Sequence, residues 1–175
     1  DPRFWEGFRY SITMAIITIA VSATIFVPTI YWMYLKVPQA RPIMEIITIL
    51  PFVIPGIVLV FGLIRTFSRP PLQLTTSTFK TDILMIAGYV IISMPYMFRA
   101  VDVGMRSIDV RTLTEAAQSL GSNWFHVLID VIIPNLRLAI LGGSLICFAT
   151  VMGELILADF LVRPALGPYM VRLGL

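Results

Sequence analysis

Apolar residues in this chain come in runs too long for the core of a soluble protein. From Tyr10 to Leu35 there is no charged side chain, which exceeds the roughly 20 residues that cross a hydrocarbon layer as a helix. Three more apolar runs follow, and together they predict membrane-spanning helices near 8–35, 43–65, 82–103 and 135–158. Ahead of the first lies a polar flank, Asp1–Arg9, with Phe4 and Trp5 suited to a membrane–water interface. Strands have no place in this pattern, and the fold class read from it is an all-α, polytopic membrane helical bundle.

Prolines qualify three of the spans. Pro28 predicts a kink near the far end of the first, and Pro95 an interruption of the third, which is expected to end at Arg99. In the second, Leu50-Pro51-Phe52-Val53-Ile54-Pro55-Gly56 cannot be a straight helix, because each proline removes a backbone donor. Broken helices survive at membrane depth only where protein or a watery cavity satisfies the freed groups. Pro51 and Pro55 therefore mark either a stretch of solute path or a kinked packing helix. Small and polar residues also fall in stripes at helical spacing. Ser11, Ala15, Thr18, Ser22 and Thr29 in the first span fit helix packing. Gly143, Cys147, Thr150 and Glu154 share one side of the fourth, which is expected to run to Ala158 and to present a carboxylate at its end. An ionisable group in a span is a functional candidate; the alternative is an interfacial Glu154, solvated or paired with Arg163.

Between the third and fourth spans the character changes. Asp102, Arg106, Asp109 and Arg111 make a charged approach to Thr112-Leu113-Thr114-Glu115-Ala116-Ala117-Gln118-Ser119-Leu120-Gly121. Thr112 as N-cap with Glu115 three residues on completes a capping box, predicting a short helix over 113–120. Leu113, Ala116, Ala117 and Leu120 fall at i, i+3, i+4 and i+7, one narrow face. Gly121 can enter the left-handed region that stops a helix. Ser122 or Asn123 then caps a second short helix over 123–133, bent or interrupted by Pro134.

Composition excludes several function classes. Charged residues make up 13% of the 175, against about 25% in soluble domains. The net charge of +3 comes from scattered basic residues with no cluster of the kind that marks a nucleic-acid face. One cysteine, Cys147, excludes an internal disulfide or a cysteine-based zinc site, and one histidine, His126, leaves little for a metal site or a catalytic triad. No G-x-x-x-x-G-K-[ST] phosphate loop occurs, so no cofactor is expected on this chain and ATP should not be hydrolysed by it. No basic n-region precedes an apolar h-region, so no signal peptide is read.

Glu115-Ala116-Ala117, three residues, Gly121, nine residues, then Val131-x-Ile133-Pro134 resembles the EAA motif of binding-protein-dependent ABC transporter permeases. Val131 and Ile133 stand in for the family's apolar residues; the other positions match. The resemblance implies a type I ABC importer permease-like bundle, with residues 104–134 as a cytoplasmic coupling loop in a single permease domain over 1–175. It implies that Leu113, Glu115, Ala116, Ala117, Leu120 and Gly121 dock on a separate ABC ATPase subunit, which carries ATP and magnesium. Other implied partners are a second permease subunit (the same chain or a related one), an extracytoplasmic solute-binding protein and membrane lipid. The implied location is the bacterial or archaeal cytoplasmic membrane. The family has five or six spans, so the resemblance implies one span before Asp1 and one after Leu175. Glu154-Leu155-Ile156-Leu157-Ala158-Asp159-Phe160 looks like the corresponding segment of polyamine, iron and phosphonate importers. That likeness fixes no substrate; a polyamine-like or another small polar solute is the expectation, and the residues read as its path are Glu154, Thr150, Pro51 and Pro55.

Charge does not set the orientation. Lys36, Arg41, Arg99, Arg106, Arg111 and Arg137 flank the spans on the side of the EAA stretch, and Arg3, Arg9, Arg65, Arg69, Lys80, Arg163 and Arg172 on the other, so the positive-inside rule is undecided. Two other readings stay open: an ion-gradient-driven secondary transporter or channel component, which broken spans and Glu154 would suit, and a membrane anchor without transport.

Overall fold

The computed structural model describes residues 1–71 and 73–174. Leu72, in the loop expected over Arg65–Asp82, and Leu175, at the end of the tail, lie outside the described residues. Three long helices make the frame: α1 (Pro2–Lys36), α4 (Thr78–Arg106) and α6 (Trp124–Met152). Between α1 and α4 come α2 (Arg41–Val53) and α3 (Gly56–Phe67), between α4 and α6 the short α5 (Val110–Ser119), and after α6 the short α7 (Ile156–Phe160) and α8 (Leu166–Gly174). Among the described residues there is no strand.

α1 takes in most of the polar flank. Asp1 accepts the Arg3 N–H at 2.9 Å and Pro2 occupies the first turn, so the helix starts at once. It continues unbroken past Pro28 to Lys36. α4 likewise runs through Pro95 to Arg106 instead of being interrupted. An interior proline removes one i→i−4 bond, and the packing around the buried Pro95 holds the helix through it.

The second span is broken more sharply than a proline kink. α2 and α3 meet at 100°, and Pro55 leads α3 with extended ψ. The fourth span departs further from expectation. No separate helix over 123–133 forms, because Asn123 caps a helix that passes through a π segment, Val127–Ile132, and on to Met152. Pro134 sits in the first turn after that segment. The wider π turn takes up the donor and the space that proline denies. At the other end α6 stops at Met152, not Ala158, which removes Glu154 from the Gly143–Cys147–Thr150 stripe.

Small residues let the frame close. A Cβ on Gly143 of α6 would come within 2.9 Å of Ala100, and one on Gly104 of α4 within 2.6 Å of Ala139. Lipid tails are as apolar as the side chains, so such close approach is what selects helix pairs in a bilayer. In α1 the residues Ser11, Ala15, Thr18 and Ser22 are buried while Thr29 is exposed, its hydroxyl donating to the Ile25 carbonyl. Two apolar clusters result. One, at the α5 end, joins Phe26, Ile30, Met97, Val101, Val127 and Leu136. The other, at the opposite end, joins Met14, Ala15, Val60, Leu84, Tyr89 and Leu157.

Candidate functional site

α5 hangs from the end of α4, and the chain returns to the bundle through Gly121. Its cap is Asp109, one turn before the Thr112 cap read from sequence. The Asp109 carboxylate accepts the Thr112 N–H at 3.1 Å and the Thr112 hydroxyl at 2.7 Å. Those two bonds, the backbone one first, hold the Asp109 carboxyl below the usual carboxylate range. An Asp preceding the turn competes successfully with Thr112, whose side chain is thereby already engaged; the Thr112–Glu115 capping box does not form.

The C-terminal stop is a complete Schellman motif. Gly121 N–H donates to Gln118 O at 2.9 Å and Ser122 N–H to Ala117 O at 3.1 Å, with Gly121 at φ +89°.

The face of α5 turned to the bundle is Val110, Leu113, Thr114 and Ala117. Val110 and Thr114 are buried, and Leu113 and Ala117 pack on the cluster at that end. Thr114 meets the buried Tyr31 hydroxyl of α1 at 3.1 Å and donates to Val110 O at 2.7 Å. The face expected from sequence is therefore split. Leu113 and Ala117 look inward, whereas Glu115, Ala116, Leu120 and Gly121 are exposed. Leu120 is 88% exposed, and Phe125, just beyond, 67%. The outward surface thus carries the small Ala116, a carboxylate and an apolar knob on a helix whose other side is pinned by Thr114.

The residues expected along a path lie away from α5. Pro51 is half-buried in α2 and Pro55 exposed at the start of α3. Thr150 turns its hydroxyl onto the Ile146 carbonyl at 2.8 Å. Glu154 begins a tight turn after Gly153, and its carboxylate accepts the N–H groups of Ile156 and Leu157 at 2.9–3.1 Å, satisfying the open N-terminus of α7. It does not meet Arg163, which pairs with Asp82 at 2.6 Å and donates to the Tyr10 hydroxyl at 3.0 Å. The break between α2 and α3 does come to the Glu154 turn: a Cβ on Gly56 would be 3.2 Å from Ile156. Sequence reading missed two charged clusters, Tyr10–Asp82–Arg163 at one end and Tyr34–Arg41–Asp102–Arg106 at the other. The Asp102–Arg106 pair of the second is an i,i+4 neighbour pair, but the pairing across helices had no local signal in either.

The sequence matches, over residues 39–174, the model of the family described as binding-protein-dependent transport system inner membrane component. The chain belongs to that family. Relatives include the spermidine/putrescine transport system permease protein PotB of Haemophilus influenzae, 26% identical over 92% of this chain and 60% of that protein. The Escherichia coli PotB is 24% identical over 92% of this chain and 62% of its own length. A putative ferric transport system permease protein, FbpB 1 of Haemophilus influenzae, is 32% identical over 71% of this chain and 19% of its own length. The chain thus spans about three fifths of the PotB proteins it matches. As a binding-protein-dependent permease chain it is multi-pass; among the described residues three helices are long and apolar enough to cross a membrane, or four if α2 and α3 form one broken span.

Proposed function

We propose that this chain is the membrane-spanning part of an ATP-driven importer, contributing to the solute path and taking its energy from a separate ATPase through α5. The observation that carries this reading is the outward face of α5. Leu120, on a helix locked from behind by Thr114 and Tyr31, is left 88% exposed by the described residues. In this reading that apolar side chain, held out on a polar turn, is the knob that docks. Ala116 beside it allows close approach by a partner backbone. ATP and magnesium belong to the ATPase in this reading, and the EAA end faces the cytoplasm of a bacterium or archaeon. A second permease chain and an extracytoplasmic solute-binding protein complete the assembly, in contact with lipid. The solute is a polyamine-like cation or another small polar molecule, as the names of the PotB relatives suggest. The break at Pro51–Pro55 and the Glu154 turn against it are the segment that would flank the path, with Thr150 one turn away on α6. An ion-gradient mechanism is less well supported, because Glu154, the carboxylate that suggested it, is bound by backbone N–H groups.

The test is capture of the ATPase subunit by the intact protein, with uptake of labelled spermidine or putrescine into ATP-loaded vesicles carrying the binding protein. Leu120→Glu removes the knob without touching the bundle. Burial of a leucine is worth roughly 1.5–3 kcal/mol, so capture should weaken by about tenfold or more. Unchanged capture and uptake in that variant would refute the docking assignment.

A further inference from the structure

Five polar side chains from three helices meet at the α5 end of the bundle. Asp102 on α4 is only 3% exposed. Its Oδ1 accepts the Tyr34 hydroxyl of α1 at 2.8 Å. Its Oδ2 accepts Arg41 Nη2 of α2 at 3.1 Å, and Arg106 Nε and Nη2 at 3.1 and 2.6 Å. Glu45, one turn along α2, meets both guanidinium groups at 3.3 Å. Two carboxylates face two guanidinium groups, so the cluster is neutral while every charge in it has a partner. A buried carboxylate in a membrane bundle is costly unless paired in this way.

The cluster matters because of what it joins. Within α2 the only buried residue is Thr48, and its hydroxyl stays on its own helix, donating to the Glu45 carbonyl. Ile43, Ile46, Ile49, Leu50 and Phe52 are exposed. Apolar contacts alone hold a helix weakly in one place when lipid is equally apolar. Arg41 and Glu45 are therefore the directional attachment of α2, supplemented by Phe52 against Tyr96. On the other side of the cluster, Arg106 is the last residue of α4. Only Ser107 and Ile108 separate it from Asp109, the cap of α5, and Ser107 is itself tied to the Gly104 carbonyl at 2.7 Å.

We propose that Asp102 is a positioning residue: with Arg106 it fastens α2 to the junction of α4 and α5, so that the broken α2–α3 pair moves with α5. The proposal rests on the permease reading for its consequence in transport, but the mechanical link stands on the cluster alone. A displacement imposed on α5 reaches the Pro51–Pro55 break through Asp102 and Arg41, without passing along the apolar interface of α1 and α4.

Two measurements on the intact protein test it. In the assembled transporter, Arg41→Gln combined with Glu45→Ala leaves Tyr34, Asp102 and Arg106 in place and removes both charged links of α2, Arg41–Asp102 and Glu45–Arg106. ATPase capture and ATP hydrolysis should stay within about twofold, while solute moved per ATP should fall roughly tenfold. Asp102→Asn, which leaves the Glu45–Arg106 pair, should act in the same direction by less; if that variant does not assemble, the double variant decides. Solute moved per ATP that is unchanged by the double variant overturns the proposal, and so does loss of ATPase capture, which would make the cluster part of the docking surface. The second measurement does not depend on transport. Spin labels at Ile47 on α2 and Ser119 on α5, in a Cys147→Ala background, should give one narrow distance that the double variant broadens. An unaltered distribution overturns the link even if transport fails for another reason. ATP-dependent uptake by the unaltered complex checks the permease reading separately.

Discussion

Gly121 isolates the contribution of one backbone angle. It sits at φ +89°, in the region that L side chains rarely adopt, yet a Cβ there would meet nothing within 4 Å. Gly121→Ala therefore adds no clash, and its cost is conformational, roughly 1–2 kcal/mol. The alternative is for the residue to rotate to negative φ. That breaks the Gly121→Gln118 and Ser122→Ala117 hydrogen bonds of 2.9 and 3.1 Å, each worth about 0.5–1.5 kcal/mol net. Either way the end of α5 loses a similar amount. Leu120, the preceding residue, is the one whose position is set by this stop. Affinity for the ATPase subunit should then fall by about 5- to 30-fold, at 1.4 kcal/mol per tenfold. Gly121→Asn should be milder than Gly121→Ala, because Asn tolerates the left-handed region, and Gly121→Val worse, because a β-branched residue does not. The assay is titration of the ATPase subunit against the purified intact protein, alongside amide exchange over 118–122. Equal docking and equal exchange protection in the Ala and Val variants would refute the strain argument.

Asp109 makes a pH prediction whose sign follows from its partners. Because the folded carboxyl titrates below the usual range, its contribution to α5 is full above the ordinary aspartate value, near 3.9, and is lost as pH falls through the lower folded value. Amide protection in α5 should drop in that acid window, and Asp109→Asn, which keeps an accepting oxygen, should remove the pH dependence; persistence of it in Asn would assign it to another group. At the opposite end Gly88 of α4 lies directly against the Leu157 side chain, with Leu63 at 3.3 Å from a built Cβ. Gly88→Ala should overpack that contact by about 1–3 kcal/mol, read as a lower unfolding temperature in detergent, and Leu157→Ala in the same chain should restore part of it. An unchanged unfolding temperature in the single variant would mean that α7 does not rest on α4 there.

Much of the bundle is determined by sequence alone, because a helix in lipid must satisfy its own backbone and must be long enough to span. That logic is local. It places the long apolar helices, breaks the second span at Pro51–Pro55, and stops α5 at Gly121, where only the backbone of one residue is at issue. The tertiary structure decided the rest. Pro95 and Pro134 did not interrupt their helices, since packing around one and a π turn before the other absorbed the lost donor. Which face of α5 turns inward was not legible either: Val110, Leu113, Thr114 and Ala117 form one stripe, and Leu113, Ala116, Ala117 and Leu120 form another, shifted by three residues, sharing Leu113 and Ala117 and lacking any polar member. The buried Tyr31 hydroxyl opposite Thr114 chose between them. Glu154 read as the end of a polar stripe because α6 was expected to reach Ala158; the helix ended at Met152, and the carboxylate turned to the free N–H groups of the next one. Asp102 was visible only as one charge in an amphipathic approach. Its partners come from α1, α2 and its own helix, and a membrane hides such pairings from hydropathy, because a span that faces lipid on one side and protein on the other is apolar on both.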